Sequence, residues 1–263
     1  MTGLLHTIPV PGAVLVVEAQ GEGAPPLVLI HGFGDDRHIW DRLSAALSQR
    51  RQVVRYDLRG FGDSVEHGNA PFRHSRDLLS ILDTLGIPQC DLLGASMGGS
   101  VALSFALDFP ARVRRLILIS PGIVGWEWSP AWNDRWALIT EAARKGEMAS
   151  AHDLWWNHPL FETTRANPAA GECLRRSISR YSGRHWVADN EQPSLPDLDR
   201  LPALAVPTLL LTGSCDLPDF RLIADLIAGA APDVSRFDVE GAGHLLHLER
   251  PQEVIIRIAE FLA

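Results

Sequence analysis

Short apolar runs alternate along the chain with longer amphipathic stretches, the pattern of a parallel sheet covered by helices. Strands are predicted at Val14–Glu18, Leu27–Ile30, Gln52–Tyr56, Asp91–Leu93, Val113–Ile119, Thr208–Leu211 and Ser235–Val239. The runs at 27, 91, 113 and 208 are almost wholly Leu, Ile and Val, as expected of strands covered on both faces. Helices are predicted at His74–Leu85, Met97–Asp108, Pro218–Ala228 and Pro251–Leu262, with Pro110 stopping the second of them. The fold class is α/β.

One connection breaks the rhythm. Between Ser120 and Thr208 the sheet needs a single crossover, yet the chain spends nearly ninety residues there. This segment holds seven of the eight tryptophans: 126, 128, 132, 136, 155, 156 and 186. Ser129-Pro130 and Asn167-Pro168 each read as an N-cap followed by proline at the first helical position. Trp132 and Trp136 then share one helix face, and Leu174, Ile178 and Tyr181 form a second stripe. A helical subdomain inserted at 121–202, in a core made of 1–120 and 203–263, is the expected organisation.

Composition narrows the function. The 263 residues are 46% hydrophobic and 21% charged, ordinary values for a globular protein. With 32 acidic against 24 basic residues, a formal charge of −8 and no Lys/Arg block, a nucleic-acid partner is not expected. Lys145 is the sole lysine and lies outside any Gly-rich loop, so a phosphate-binding loop is absent. Cys90, Cys173 and Cys215 are odd in number and widely spaced, which favours a reducing compartment over a disulfide framework. No signal-like leader or membrane-length apolar run is present, so a cytoplasmic protein without a membrane partner is expected. The oligomeric state is left open.

Candidate chemistry sits at the strand ends. Gly94-Ala95-Ser96-Met97-Gly98 is a G-x-S-x-G sequence between a strand and a helix, where a sharp turn leaves the serine hydroxyl exposed. His31-Gly32-Phe33-Gly34 follows a buried strand and offers backbone donors; with the Met97 N–H, that of Phe33 is the candidate oxyanion hole. Asp216 follows the strand at 208–211, and His244 follows the strand at 235–239. All four loops fall at strand carboxyl ends, the ligand side of an open parallel sheet. Ser…Asp…His is also the order of a nucleophile elbow. Asp219 is the nearest rival to Asp216, with Asp189 less well placed. His31 is expected to tie its loop to backbone groups, and Cys215 to be a small packing residue. His244-x-x-His247 lacks a carboxylate at ligand spacing, so no metal is expected.

These motifs, with Tyr56-Asp57-Leu58-Arg59-Gly60-Phe61-Gly62-Asp63-Ser64 and His247-Leu248-Glu249-Arg250-Pro251, resemble the landmarks of the α/β-hydrolase fold superfamily over nearly the whole chain. The resemblance implies a doubly wound, mostly parallel sheet with a Trp-rich lid at 121–202. It also implies a Ser96–His244–Asp216 triad acting through an acyl-enzyme, with no cofactor. Ser96 separates the chain from the dehalogenases and epoxide hydrolases of this fold, which use aspartate. Ser100 stands after Gly98-Gly99 where enzymes like the menaquinone-pathway synthase carry arginine. The expected substrate is a small, apolar or aromatic ester or lactone. The candidate contacts are Trp126, Trp132, Trp136, Trp155 and Trp186, with Arg175, Arg176, Arg180 or Arg184 able to hold a carboxylate if turned inward. A carbon–carbon hydrolase of ring-cleavage products, or another triad-dependent lyase, remains open, although Leu245 replaces the tryptophan common after its histidine. A non-catalytic binder of the same fold is the further alternative.

Overall fold

The structure, a computed structural model, describes residues 3–68, 70–188, 190–192 and 195–263. Among the described residues nine strands form one sheet: β1 (Leu4–Val10), β2 (Ala13–Gln20), β3 (Leu27–Ile30), β4 (Val53–Tyr56), β5 (Val65–Glu66), β6 (Cys90–Ala95), β7 (Val113–Ile119), β8 (Thr208–Gly213) and β9 (Val234–Val239). Their spatial order is β1-β2-β4-β3-β6-β7-β8-β9, with β5 paired to β2. From β4 to β9 every pairing is parallel, while β1 and β2 are antiparallel additions at one edge. The connections run in opposite directions on the two sides of β3, so its carboxyl end is a topological switch point.

Strands β3 and β8 are buried at every position, which is why their sequences do not alternate. Helices α1 (Asp41–Leu47), α2 (His74–Thr84), α3 (Met97–Asp108), α9 (Pro218–Ala230) and α11 (Pro251–Leu262) cover the sheet. In α11 the buried positions Val254, Ile258 and Leu262 recur every fourth residue, a single stripe turned inward. By contrast α3 is apolar nearly all round, because it is enclosed on every side.

Segment 121–202 forms α4 (Pro130–Arg144), α5 (Met148–Trp156), α6 (Glu162–Ala166), α7 (Pro168–Arg180) and α8 (Arg184–Val187). Both N-cap bonds form: Ser129 Oγ accepts from Trp132 N at 3.3 Å, and Asn167 Oδ1 accepts from Ala170 N at 3.2 Å. A last short helix, α10 (Leu246–Glu249), precedes α11. The strand predicted at Val14–Glu18 falls within β2, while its antiparallel partner β1 and helix α1 lie beyond the elements predicted from the pattern. β1 carries exposed Leu4 and Leu5, so its apolar content does not report burial. No helix among the described residues is long and apolar enough to cross a membrane.

Candidate active site

Ser96 occupies the turn between β6 and α3 with φ 53° and ψ −120°, a conformation that L-residues rarely adopt. Its neighbours show why the turn needs glycine. A Cβ on Gly94 would sit 2.1 Å from Gly98 O, and one on Gly98 would sit 2.4 Å from both Ile30 O and His31 O. The backbone is fixed by Ser96 N donating to Ile119 O and by Gly122 N donating to Ser96 O, each at 2.9 Å. Met97 is the first residue of α3, where N–H groups have no acceptor within the helix.

Loops after β8 and β9 meet through glycine in the same way. A Cβ on Gly213 would lie 2.2 Å from Gly243 O, and Cys215 N donates to Ala242 O at 2.8 Å. This close crossing sets His244 Nδ1 at 3.0 and 3.1 Å from the two carboxylate oxygens of Asp216, both groups being buried. Asp216 Oδ1 also accepts from Leu217 N at 2.7 Å. His244 Nε2 is buried with no hydrogen-bond partner among the described residues, and with Nδ1 donating to a carboxylate it is left as an acceptor. The imidazole packs on Phe220 at 4.2 Å.

The loop after β3 carries His31, Phe33 and Asp35. Burial depresses the His31 pKa, and the neutral ring donates from Nδ1 to Gly32 O at 2.8 Å while Nε2 accepts from Leu58 N at 3.0 Å. It joins two loops and faces no ligand space. Beneath them Arg59, 2% exposed, pairs with Asp77 through two bonds of 2.8 and 2.9 Å and covers the Phe72 ring. Asp57 ties Arg37 and Asp63 N into the same floor.

Ser96, His244, Phe33 and Met97 line one cavity of about 460 Å³. Its other walls come mainly from segment 121–202: Trp126, Trp132, Trp136 and Trp155, joined by Trp128, which the sequence reading did not single out as a contact. Trp132 stacks between Trp128 at 4.5 Å and Trp136 at 6.4 Å. Trp186 is a correction: it is fully buried against Tyr181 at 4.9 Å and His152 at 5.5 Å, and it does not line the cavity. The four arginines of α7 and α8 also stay outside. Arg175 covers Trp156, Arg176 pairs with Glu172 on the surface, Arg180 pairs with Asp36, and Arg184 pairs with Glu66. Among the described residues that line the cavity there is no Arg or Lys.

Asp219 is a clasp: its carboxylate accepts from Trp126 Nε1 and Ser129 N at 3.1 Å and from Ser129 Oγ at 2.6 Å. Glu249 is a second clasp, accepting from Thr163, Thr164 and Gly243 N at 3.0, 2.6 and 2.7 Å. Only the spacing of acids beside the candidate triad hinted at either. His247 points away onto Trp40, ring centroids 4.7 Å apart, and burial lowers its pKa to about 3. Cys215 is exposed, so it is not a packing residue. Asp189 lies outside the described residues. No three His, Cys, Asp or Glu side chains among those described are grouped to hold a metal.

Residues 25–251 match the alpha/beta hydrolase fold family, and the chain belongs to it. Among its relatives, 3-oxoadipate enol-lactonase 1 of Acinetobacter baylyi is 28% identical over 93% of this chain and 91% of the relative. The 2-succinyl-6-hydroxy-2,4-cyclohexadiene-1-carboxylate synthase of Klebsiella pneumoniae is 32% identical over 92% and 95%. A thermophilic esterase from Thermogutta terrifontis, solved with malate bound, superimposes with a TM-score of 0.83 at 29% identity over 98% of both chains.

Proposed function

We propose that this protein is a serine hydrolase of small, neutral, apolar or aromatic carboxylic esters or lactones. Ser96 is the nucleophile, His244 the general base and Asp216 the acid that holds the imidazole. The single observation that carries this reading is one cavity: the strained Ser96 and the Asp216-bound His244 share it with a wall of tryptophans, and no Arg or Lys is among the described residues that line it. Segment 121–202 acts as the lid of that cavity, its helices held to the core by Asp219 and Glu249.

In the first step His244 Nε2 takes the Ser96 hydroxyl proton as Oγ adds to the carbonyl carbon. Amide N–H groups of Phe33 and Met97 bind the oxyanion. Collapse breaks the bond to the leaving oxygen, which receives the proton from the imidazolium. Water then attacks the acyl-enzyme with His244 as base, releasing the acid and restoring Ser96. Enol-lactonase and esterase relatives fit this chemistry. The names of the lactonase and the synthase denote carboxylate compounds, and a carboxylate would find no Arg or Lys among the described residues that line this cavity. Lacking arginine after Gly98-Gly99, the chain also departs from the synthase pattern.

A fluorophosphonate probe tests the assignment directly. Labelling should map to Ser96, and Ser96→Ala should abolish both labelling and p-nitrophenyl ester turnover, by up to about 10⁶-fold in kcat. Turnover that survives in Ser96→Ala would overturn it.

A further inference from the structure

One acid in the cavity has no part in the reaction just described. Asp35 lines it, is 7% exposed, and stands two residues beyond Phe33. A Cβ built on Gly32 would lie 3.2 Å from Ser96 Cβ and 3.4 Å from Asp35 Oδ2. The carboxyl is therefore at most 3.2 Å plus 3.4 Å from the Ser96 side chain, close enough for one small substrate to touch both.

Its surroundings favour the neutral form. Ser177 of α7 acts in the opposite sense, favouring the ionised carboxylate, but less strongly than burial and Asp36 favour the acid. The nearest charge is Asp36 on the same loop, which is like in sign and itself takes the available cation, Arg180 of α7, at 3.4 Å. From the loop after β9 the titratable group facing the cavity is His244, already paired with Asp216, while α4, α5 and residues 122–128 contribute Trp, Asn and aliphatic side chains. Burial and Asp36 together push the Asp35 pKa up to about 8. A protonated carboxyl has one O–H to donate, whereas an ionised one only accepts.

We propose that Asp35 is a specificity-determining residue: its protonated carboxyl donates a hydrogen bond to a second, uncharged oxygen near the scissile carbonyl. The preferred substrates are then neutral esters or lactones bearing an ether, keto or hydroxyl oxygen next to the reacting group. This inference rests on the serine-hydrolase reading above. It differs from a structural role for Asp35 because it sets the ratio of two substrates, which folding alone does not.

The test uses matched ester pairs that differ by one ether oxygen. Phenyl methoxyacetate against phenyl butyrate probes the acyl side, and 2-methoxyethyl benzoate against butyl benzoate probes the alcohol side. The ratio of kcat/KM within each pair is measured from pH 6 to 10. In at least one pair Asp35→Ala should lower the preference for the ether substrate about 3- to 10-fold at pH 7. Asp35→Asn, which keeps a donor, should hold it. In the wild type that preference should fall as pH rises through about 8, and in Asp35→Asn it should stay flat. If Asp35→Ala does not fold, the pH course of Asp35→Asn against wild type decides alone. Ratios unchanged in both pairs, or the same fall with pH in Asp35→Asn, overturn the proposal and leave the hydrolase reading intact. A wild type that hydrolyses none of the four esters overturns both.

Discussion

Removing the Asp219 carboxylate should loosen the helical insert rather than stop the chemistry. The side chain is 7% exposed and accepts three hydrogen bonds, from Trp126 Nε1, Ser129 N and Ser129 Oγ. Bonds to a charged acceptor are worth about 1.5–3 kcal/mol each, but they do not add fully. All three are only partly buried, so water can replace some of them in a truncated variant. Asp219 also stands in the first turn of α9, where a negative charge contributes about 0.3–1 kcal/mol. Asp219→Ala should therefore cost about 2–4 kcal/mol, and Asp219→Asn, which keeps one acceptor oxygen, about half of that. For a chain of this size those losses correspond to a fall in Tm of about 4–8 °C for alanine.

Activity should respond through the cavity wall, since Ser129 caps the helix that carries Trp132 and Trp136. A rise in KM with a fall in kcat of no more than about 10-fold is expected. The assay pairs thermal melting with steady-state kinetics for Asp219→Ala, Ser129→Ala and the double variant. A coupling energy of about 1 kcal/mol or more is expected between the two sites. A loss of about 10⁴ in kcat with an unchanged melt would refute this reasoning, because it would make Asp219 the acid that orients His244.

Asp216→Asn, by contrast, should fold normally and lose about 10⁴ in kcat, since the amide would favour the wrong imidazole tautomer; steady-state kinetics on the purified variant checks this. Trp132→Ala should change the ratio of kcat/KM between an aromatic and an aliphatic ester, whereas Trp186→Ala should cost about 3–5 kcal/mol of stability and leave that ratio alone. Stability should fall on acidification through two buried histidines. Burial lowers the His247 pKa to about 3 and the His158 pKa to about 4, so both are neutral in the fold, and the unfolded chain binds their protons first. Their contribution is complete above about pH 6.5 and is lost as pH falls towards 4 and 3, about 2 kcal/mol at pH 5 for His247 alone. Urea melts at pH 7 and 5 should show that loss shrinking in His247→Leu; an unchanged loss would exclude His247 as its source.

Much of the framework is legible in the chain because it is local. Buried parallel strands such as β3 and β8 announce themselves as unbroken aliphatic runs, and glycines around Ser96 mark a turn that side chains would block at 2.1–2.4 Å. Proline after Ser129 and Asn167 marks two helix starts for the same reason: backbone geometry there is decided within a few residues. What the sequence left undecided is which side chains meet across long separations. Trp132 and Trp186 are the same residue type in the same segment, yet one lines the cavity and the other is sealed beneath Tyr181. Asp216 and Asp219 are three residues apart, and only the crossing of the β8 and β9 loops gives His244 to one and the insert to the other. Four arginines that could have met a carboxylate are drawn off by Trp156, Glu172, Asp36 and Glu66. Asp35 is one acid of an adjacent pair in the chain; packing gives the cation to Asp36 and the apolar cavity to Asp35. Partner choice of this kind depends on burial and distance, which periodicity along a chain does not encode.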